Sequence, residues 1–370
     1  MPEDTCLAVG LMSGTSMDGV DAALIETDGE AVLWRGPALT HPYDAEFRGD
    51  LRAALGHDPL IRVPENDLIG RLTDRHSDAV RELLAEAGKS PGDIRVIGFH
   101  GHTVLHRPEL GVTRQIGDPA RLARETGIDV VGDLRLNDVA SGGEGAPLAP
   151  VYHRALARDL DKPLAVLNLG GVGNVTWIGP DELGNGGTLL AFDTGPGNAL
   201  LDDWMQEKTG QPMDRDGTLS AQGTVDQAVL SRLMRHDYFD MPPPKSLDRD
   251  DFGLALVQGL PAAAGAATLA AFTVAAVARA AQFFPQPAQR WLVTGGGRHN
   301  AALMQGLRRA LGAEVLPVED AGWRGDAMEA EAFAFLAVRA LKGLALTYPG
   351  TTGIGEPLSG GRLYPTQVEG

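Results

Sequence analysis

Val9-Gly10-Leu11-Met12-Ser13-Gly14-Thr15-Ser16-Met17-Asp18-Gly19-Val20-Asp21-Ala22-Ala23-Leu24 is the stretch on which the reading of the fold turns. An apolar run, residues 7–12, enters it, and a second, residues 20–25, leaves it. Between them lie two glycines, hydroxyl and acidic groups, and little bulk. The pattern predicts strand, tight turn, strand. Gly14 and Gly19 are expected to take positive φ and to leave room for a ligand. Consecutive N–H groups in such a turn form an anion-binding concavity. Ser13, Thr15 and Ser16 add hydroxyl donors there, and Asp18 or Asp21 is placed to face a metal ion. An ordinary polar hairpin turn fits the same residues, because short glycine motifs often match by chance.

Outward from this hairpin, residues 31–39 read as a third strand and residues 44–55 as a helix. Residues 66–88 carry Leu68, Ile69, Leu72, Val80, Leu83 and Leu84 at helical spacing and stop at Gly88. Residues 94–103 are a buried strand running into small residues. Residues 118–127 predict a helix and 129–133 a strand. Ser141-Gly142-Gly143-Glu144-Gly145-Ala146-Pro147 is the expected domain crossing. The opening pattern then returns: strand 164–169, the turn Gly170-Gly171-Val172-Gly173-Asn174, and strand 175–178. A third strand, 188–192, ends in Asp193-Thr194-Gly195-Pro196-Gly197-Asn198, and a helix starts near Ala199. Strand 290–294 ends in Gly295-Gly296-Gly297 and hands over to a helix at about Asn300, and residues 328–341 form another helix. Two halves of one pattern, each with a phosphate-sized turn, predict a duplicated α/β fold with a cleft between the halves.

With 370 residues, 43% hydrophobic and 22% charged, the chain has ample core for two domains. Its formal net charge of −17 excludes a general nucleic-acid or anionic-membrane binder, which needs clustered Lys and Arg. It leaves room for ATP, which arrives with Mg²⁺ and is held by backbone N–H groups. Cys6 is the one cysteine, so there is no disulfide framework and no thiolate zinc site, and a reducing cytoplasm is the expected location. Residues 252–278 carry no charged side chain and imitate a membrane span. They are rich in Ala and Gly and contain Pro261, so they read as a buried helix over roughly residues 260–284. No membrane partner is expected.

Several further segments join these: His100-Gly101-His102-Thr103, Gln115-Ile116-Gly117-Asp118, Asp133-Leu134-Arg135, Gly142 to Leu148, Asn168-Leu169-Gly170-Gly171, Pro243-Pro244-Lys245-Ser246, Thr352-Gly353 and Tyr364-Pro365. Taken in order with the opening hairpin, Phe192 to Asn198 and Gly295 to Gly297, the set resembles the 1,6-anhydro-N-acetylmuramic acid kinases, of the sugar kinase, Hsc70 and actin superfamily. Two departures stand out: the family has Gln where His102 stands, and Thr-Gly-Arg-Glu where Leu247-Asp248-Arg249-Asp250 follows Ser246.

The resemblance implies an α/β protein of two actin-like (RNase H-like) domains with an interdomain cleft, residues 1–140 plus 344–370 and residues 141–343. It implies an ATP-dependent kinase of cell-wall recycling and amino-sugar catabolism. Water opens the anhydro bridge while O6 takes the γ-phosphoryl group, giving N-acetylmuramate 6-phosphate and ADP. Asp193 is the implied base. Gly14, Thr15, Ser16, Met17, Asp18, Gly19, Val20, Asp21, Gly170, Gly171, Gly295, Gly296, Gly297 and Asn300 are implied on ATP, with Asp18 and Asp21 on Mg²⁺ through water. His100, Asp118, Arg135 and Asn198 are implied on the sugar, Arg135 facing its lactyl carboxylate because guanidinium forks suit carboxylates. Lys245 is an outside candidate for an anion contact, and a homodimer is expected.

Each assignment has a plainer counterpart. Asp193 fits an Asx-turn or a helix cap before Ala199. Arg135 fits a surface ion pair with Asp133 or Asp138. His100 and His102, as His-x-His at a strand end, fit a metal-dependent amidohydrolase, which requires further His and Asp ligands at later strand ends. A non-catalytic actin-like ATP-binding protein is the third reading.

Overall fold

The computed structural model describes residues 5–14, 17–55, 65–180, 189–247 and 251–366. The chain divides into two units, Met1–Arg158 with Ala327–Gly370, and Asp159–Asp326.

In the first unit the opening hairpin is β1 (Cys6–Ser13) and β2 (Gly19–Thr27), paired antiparallel. The third strand, β3 (Val32–Pro42), pairs antiparallel with β2 and runs three residues beyond its expected end. β4 (Ile94–Arg107) lies parallel to β1 on its other side, and β6 (Val130–Gly132) parallel to β4. β5 (Val112–Ile116) folds back on the outer half of β4. The sheet ends on β12 (Arg362–Tyr364), antiparallel to β6, more than 200 residues away in the chain. Helix ends follow local chemistry. Asp44 caps Ala45–Ala53 by accepting from Phe47 N–H, and Asp118 caps Pro119–Thr126, which Gly127 ends at φ 70°.

The helix Met328–Leu341 belongs to this first unit, whereas the sequence reading places it in the second domain. It packs against the middle of the sheet at backbone distance. A Cβ on Gly10 of β1 would lie 1.8 Å from Ala330 O, and one on Gly98 of β4 would lie 2.0 Å from Phe333 O. Nearly every side chain of the helix is buried. The Gly-rich segment read as the domain crossing is likewise internal to the unit. Gly145 N–H donates to Asp138 Oδ1, and Glu144 N–H to Thr352 O.

The second unit repeats the order. β7 (Leu164–Leu169), β8 (Val172–Ile178) and β9 (Leu189–Pro196) form an antiparallel meander, and β10 (Arg290–Thr294) and β11 (Glu314–Pro317) add parallel strands on the other side of β7. Across the first sheet the order is β3, β2, β1, β4, β6, β12, with β5 branching from β4, and across the second it is β9, β8, β7, β10, β11; each is an antiparallel meander of three strands followed by two parallel ones, the order of the actin-like (RNase H-like) fold. Most of the charge-free stretch forms the helix Ala262–Ala280, which carries Arg279 in its last turn and is continued by a 3₁₀ turn to Phe283. It is long and apolar enough to cross a membrane, yet most of it is buried within this unit.

Candidate active site

In the first unit the hairpin turn leaves β1 at Ser13. Met17 N–H donates to Gly14 O at 3.1 Å, and the positive φ falls on Met17, at 54°. Gly19 answers a demand for space instead: a Cβ there would lie 2.4 Å from His41 O. Val20 is fully buried core. Thr15 and Ser16 lie outside the described residues. Asp18 O accepts from Tyr43 N–H, and Asp21 Oδ1 from Thr40 Oγ1 at 2.5 Å.

Ser13 is not a spare hydroxyl for phosphate. It is 1% exposed, accepts from Tyr43 Oη at 2.8 Å, and lies in hydrogen-bond contact with His102 Nδ1 at 3.0 Å. His102 is fully buried, and burial pushes its imidazole down to about 4, so it stays neutral. The departure at this position from the pattern the sequence resembles thus falls on a strut beneath the opening hairpin.

His100 buttresses Arg135. Its Nδ1 donates to Gly101 O at 2.9 Å, which leaves Nε2 to accept from Arg135 Nε at 3.1 Å and Nη2 at 3.0 Å. Burial first, then the guanidinium charge, holds this imidazole well below its ordinary range. Arg135 Nη1 donates to Gly145 O at 2.7 Å, so the Gly-rich segment serves to carry the arginine. Of five N–H groups, three are committed, and the remaining two suit a carboxylate. Neither Asp133 nor Asp138 holds the guanidinium: Asp133 Oδ2 accepts from Tyr364 Oη, and Asp138 from Gly145 N–H and Thr352 Oγ1. Glu329, which the sequence reading missed, lies near enough for its carboxylate and the Arg135 guanidinium to attract one another. Asp118 spends Oδ1 on its helix cap at Arg121 N–H.

The metal-hydrolase reading fails on this geometry. His100 Nε2 faces a cation, His102 Nδ1 faces a serine, and among the described residues no cluster of His, Cys, Asp and Glu could hold a metal ion.

In the second unit three glycine motifs far apart in sequence meet. Gly170 O accepts from Asn198 N–H at 2.7 Å, and Gly171 O accepts from Gly197 N–H at 2.9 Å. Asn198 Nδ2 donates to Leu169 O at 2.7 Å, so that amide buttresses the hairpin. A Cβ on Gly295, where φ is 76°, would lie 2.4 Å from Asn168 Oδ1, and one on Gly297 would lie 2.5 Å from Leu169 Cβ. Gly296 opens the 3₁₀ turn Gly296–His299. Asn300 Oδ1 accepts from Ala302 and Leu303 N–H, which makes it the cap of the helix Ala301–Leu311. Arg298, also missed, ties this turn down: its side chain is 3% exposed and pairs with Glu319 at 2.9 Å and Asp326 at 2.8 Å, with a further bond to Gly295 O.

Asp193 lies inside β9, not beyond a strand ending at Phe192. β9 bulges here: Gly173 pairs with Gly195 and Asn174 with Asp193, which leaves Thr194 extra. Such bulges re-aim side chains beside functional sites. Asp193 Oδ2 accepts from Leu247 N–H at 2.9 Å, and the helix Ala199–Thr209 has Asn198 at its N-cap. The carboxylate is therefore not that helix's cap. Lys245, the outside candidate for an anion contact, is buried: its Nζ donates to Tyr238 O at 2.8 Å, and burial pushes it down to about 8. Residues 248–250, the second departure, lie outside the described residues.

A model of the anhydro-N-acetylmuramic acid kinase family matches residues 6–366. The chain is 57% identical over 359 residues to the anhydro-N-acetylmuramic acid kinase of Rhodospirillum rubrum, covering 97% of this chain and 94% of that protein. It is 58% identical over 361 residues to that of Paramagnetospirillum magneticum, covering 97% and 99%. It is 55% identical over 364 residues to that of Rhizorhabdus wittichii, covering 96% and 98%. On this near-complete match the chain belongs to the anhydro-N-acetylmuramic acid kinase family.

Proposed function

We propose that the protein is an ATP-dependent kinase that opens 1,6-anhydro-N-acetylmuramic acid with water and phosphorylates O6. The observation that carries the reading is family membership over nearly the whole chain, with Asp193 held at a strand bulge and kept out of the helix cap. Water oxygen bonds to C1 as the C1–O6 bond breaks. O6 takes the γ-phosphoryl group as its bond to ADP breaks, and the water proton goes to the Asp193 carboxylate.

In the first unit, the turn from Gly14 to Gly19 would receive the β- and γ-phosphates, and Arg135, braced by His100, would hold the lactyl carboxylate. The oxygens of Asp18 and Asp21 suit a hard cation such as Mg²⁺, which neutralises phosphate charge when bound. In the second unit, Gly170, Gly171 and Gly295 to Gly297 would flank the rest of the nucleotide. Asn198 and Asn300 act behind them as buttress and cap. We assign the protein to the cytoplasm, as a homodimer.

A coupled ADP-release assay over a panel of sugars tests the activity. Release is expected with the anhydro sugar and not with glucose or N-acetylglucosamine; release with every sugar, or with none, would defeat the substrate assignment. Millimolar MgATP is expected to raise the melting temperature, since a ligand that binds only the folded state stabilises it by mass action. A melting curve unmoved by MgATP counts against the kinase reading.

A further inference from the structure

Lys245 is 5% exposed and sits among aromatic rings. Its Nζ lies 4.5 Å from the centroid of Tyr238, 4.7 Å from Phe283 and 5.8 Å from Phe192. Its hydrogen bond goes to a backbone carbonyl, Tyr238 O, and among the described residues no carboxylate pairs with it. Three ring faces attract a cation there. Even so, burying an ammonium on a single carbonyl costs free energy that an apolar side chain would avoid. Packing alone does not account for a lysine at this place.

What the lysine does is close one segment around Asp193. Tyr238 Oη donates to Asp193 O at 2.5 Å. Asp193 N–H donates to Lys245 O at 3.1 Å, and Leu247 N–H donates to Asp193 Oδ2 at 2.9 Å. Backbone donor, backbone acceptor and carboxylate of one residue are thus all held by residues 238–247. Lys245 Nζ, reaching back to Tyr238 O, joins the two ends of that collar. Asp193 needs such a collar because the bulge at Thr194 interrupts its ladder to β8.

We propose that Lys245 and Tyr238 are positioning residues that hold the Asp193 carboxylate in a fixed orientation for proton transfer. The proposal rests on Asp193 being the general base. Proton abstraction depends steeply on placement, and a shift of about an ångström costs about a hundredfold in rate. Neither residue touches the reacting atoms in this account; both act through Asp193.

Two substitutions test it. Lys245→Met keeps the length and apolar contacts of the stem and removes the ammonium. Tyr238→Phe keeps the ring and removes the hydroxyl, so the test survives if the lysine variant fails to fold. Each is expected to lower kcat about ten- to a hundredfold, with KM for MgATP unchanged. In an Asp193→Asn background, where only residual turnover remains, neither is expected to cost anything further, because a group acting through Asp193 has nothing left to act on. If both variants keep full kcat while Asp193→Asn is inactive, the positioning role is overturned and the base assignment stands. Losses that multiply with that of Asp193→Asn overturn it as well. Normal turnover by Asp193→Asn removes the base assignment, and the proposal falls with it.

Discussion

Asp193→Asn is expected to lower kcat by about a hundred- to ten-thousand-fold, the usual cost of losing a general base, while leaving the fold and MgATP binding in place. The amide is isosteric with the carboxylate, and its oxygen still accepts from Leu247 N–H, the bond now made at 2.9 Å by Oδ2. The backbone bonds to Lys245 O and from Tyr238 Oη are indifferent to the substitution. What disappears is the charge that takes a proton from water. A helix cap would give a different result, since Asn caps as well as Asp. Asn198 already occupies that cap, so the silent outcome has no structural support. Steady-state turnover, set beside a melting curve and a nucleotide-binding isotherm, checks the prediction. Normal turnover in a folded variant would remove Asp193 from the mechanism.

The second large effect is on stability. Gly10→Ala adds a single methyl, yet its carbon would lie 1.8 Å from Ala330 O and 2.5 Å from Ala334 N. Both obstacles are helix backbone, and no rotamer can move them aside. Overpacking of a core typically costs about 1–3 kcal/mol, and this site belongs at or above the top of that range. Gly10 also pairs with Ala23 on one side and Gly98 on the other, so the strand cannot back away without breaking its ladders. For a unit of this size that corresponds to a fall in melting temperature of roughly 5–10 °C. Gly49→Ala is the matched control. Gly49 lies within the helix Ala45–Ala53, a Cβ there meets nothing within 4 Å, and the same substitution is expected to raise stability by about 0.5–1 kcal/mol. A scan in which Gly10→Ala melts at or above the wild-type temperature would contradict the close helix–sheet packing.

Much of this was legible in the chain because the signals are local. The two short apolar runs at residues 7–12 and 20–25, separated by a glycine-bounded polar turn, specify a hairpin whatever it packs against. Asp44, Asp118 and Gly127 mark helix ends because their side chains or φ angles act on neighbours a few residues away. The repeat of strand, Gly-rich turn and strand at residues 164–178 announced a second copy of the same sheet order.

Other features were settled only in three dimensions. The pattern of Met328–Leu341 says that it is a buried helix; only the missing Cβ atoms of Gly10 and Gly98 say which sheet it lies on. β12 exists because residues 362–364 find an open edge at β6, a partner no local period can name. Asp193 stays within its strand because Asn174 pairs with it across the sheet, although glycine and proline close behind suggest a turn. Ser13 reads as a phosphate donor until Tyr43 and His102 are found to engage its hydroxyl. In the sequence Lys245 is one more lysine beside a pair of prolines; that three rings from separate segments enclose it appears only in the fold. Side-chain spacing along a chain reports which face is apolar. Which surface meets that face, and which polar atom is already engaged, depends on contacts between residues tens to hundreds of positions apart.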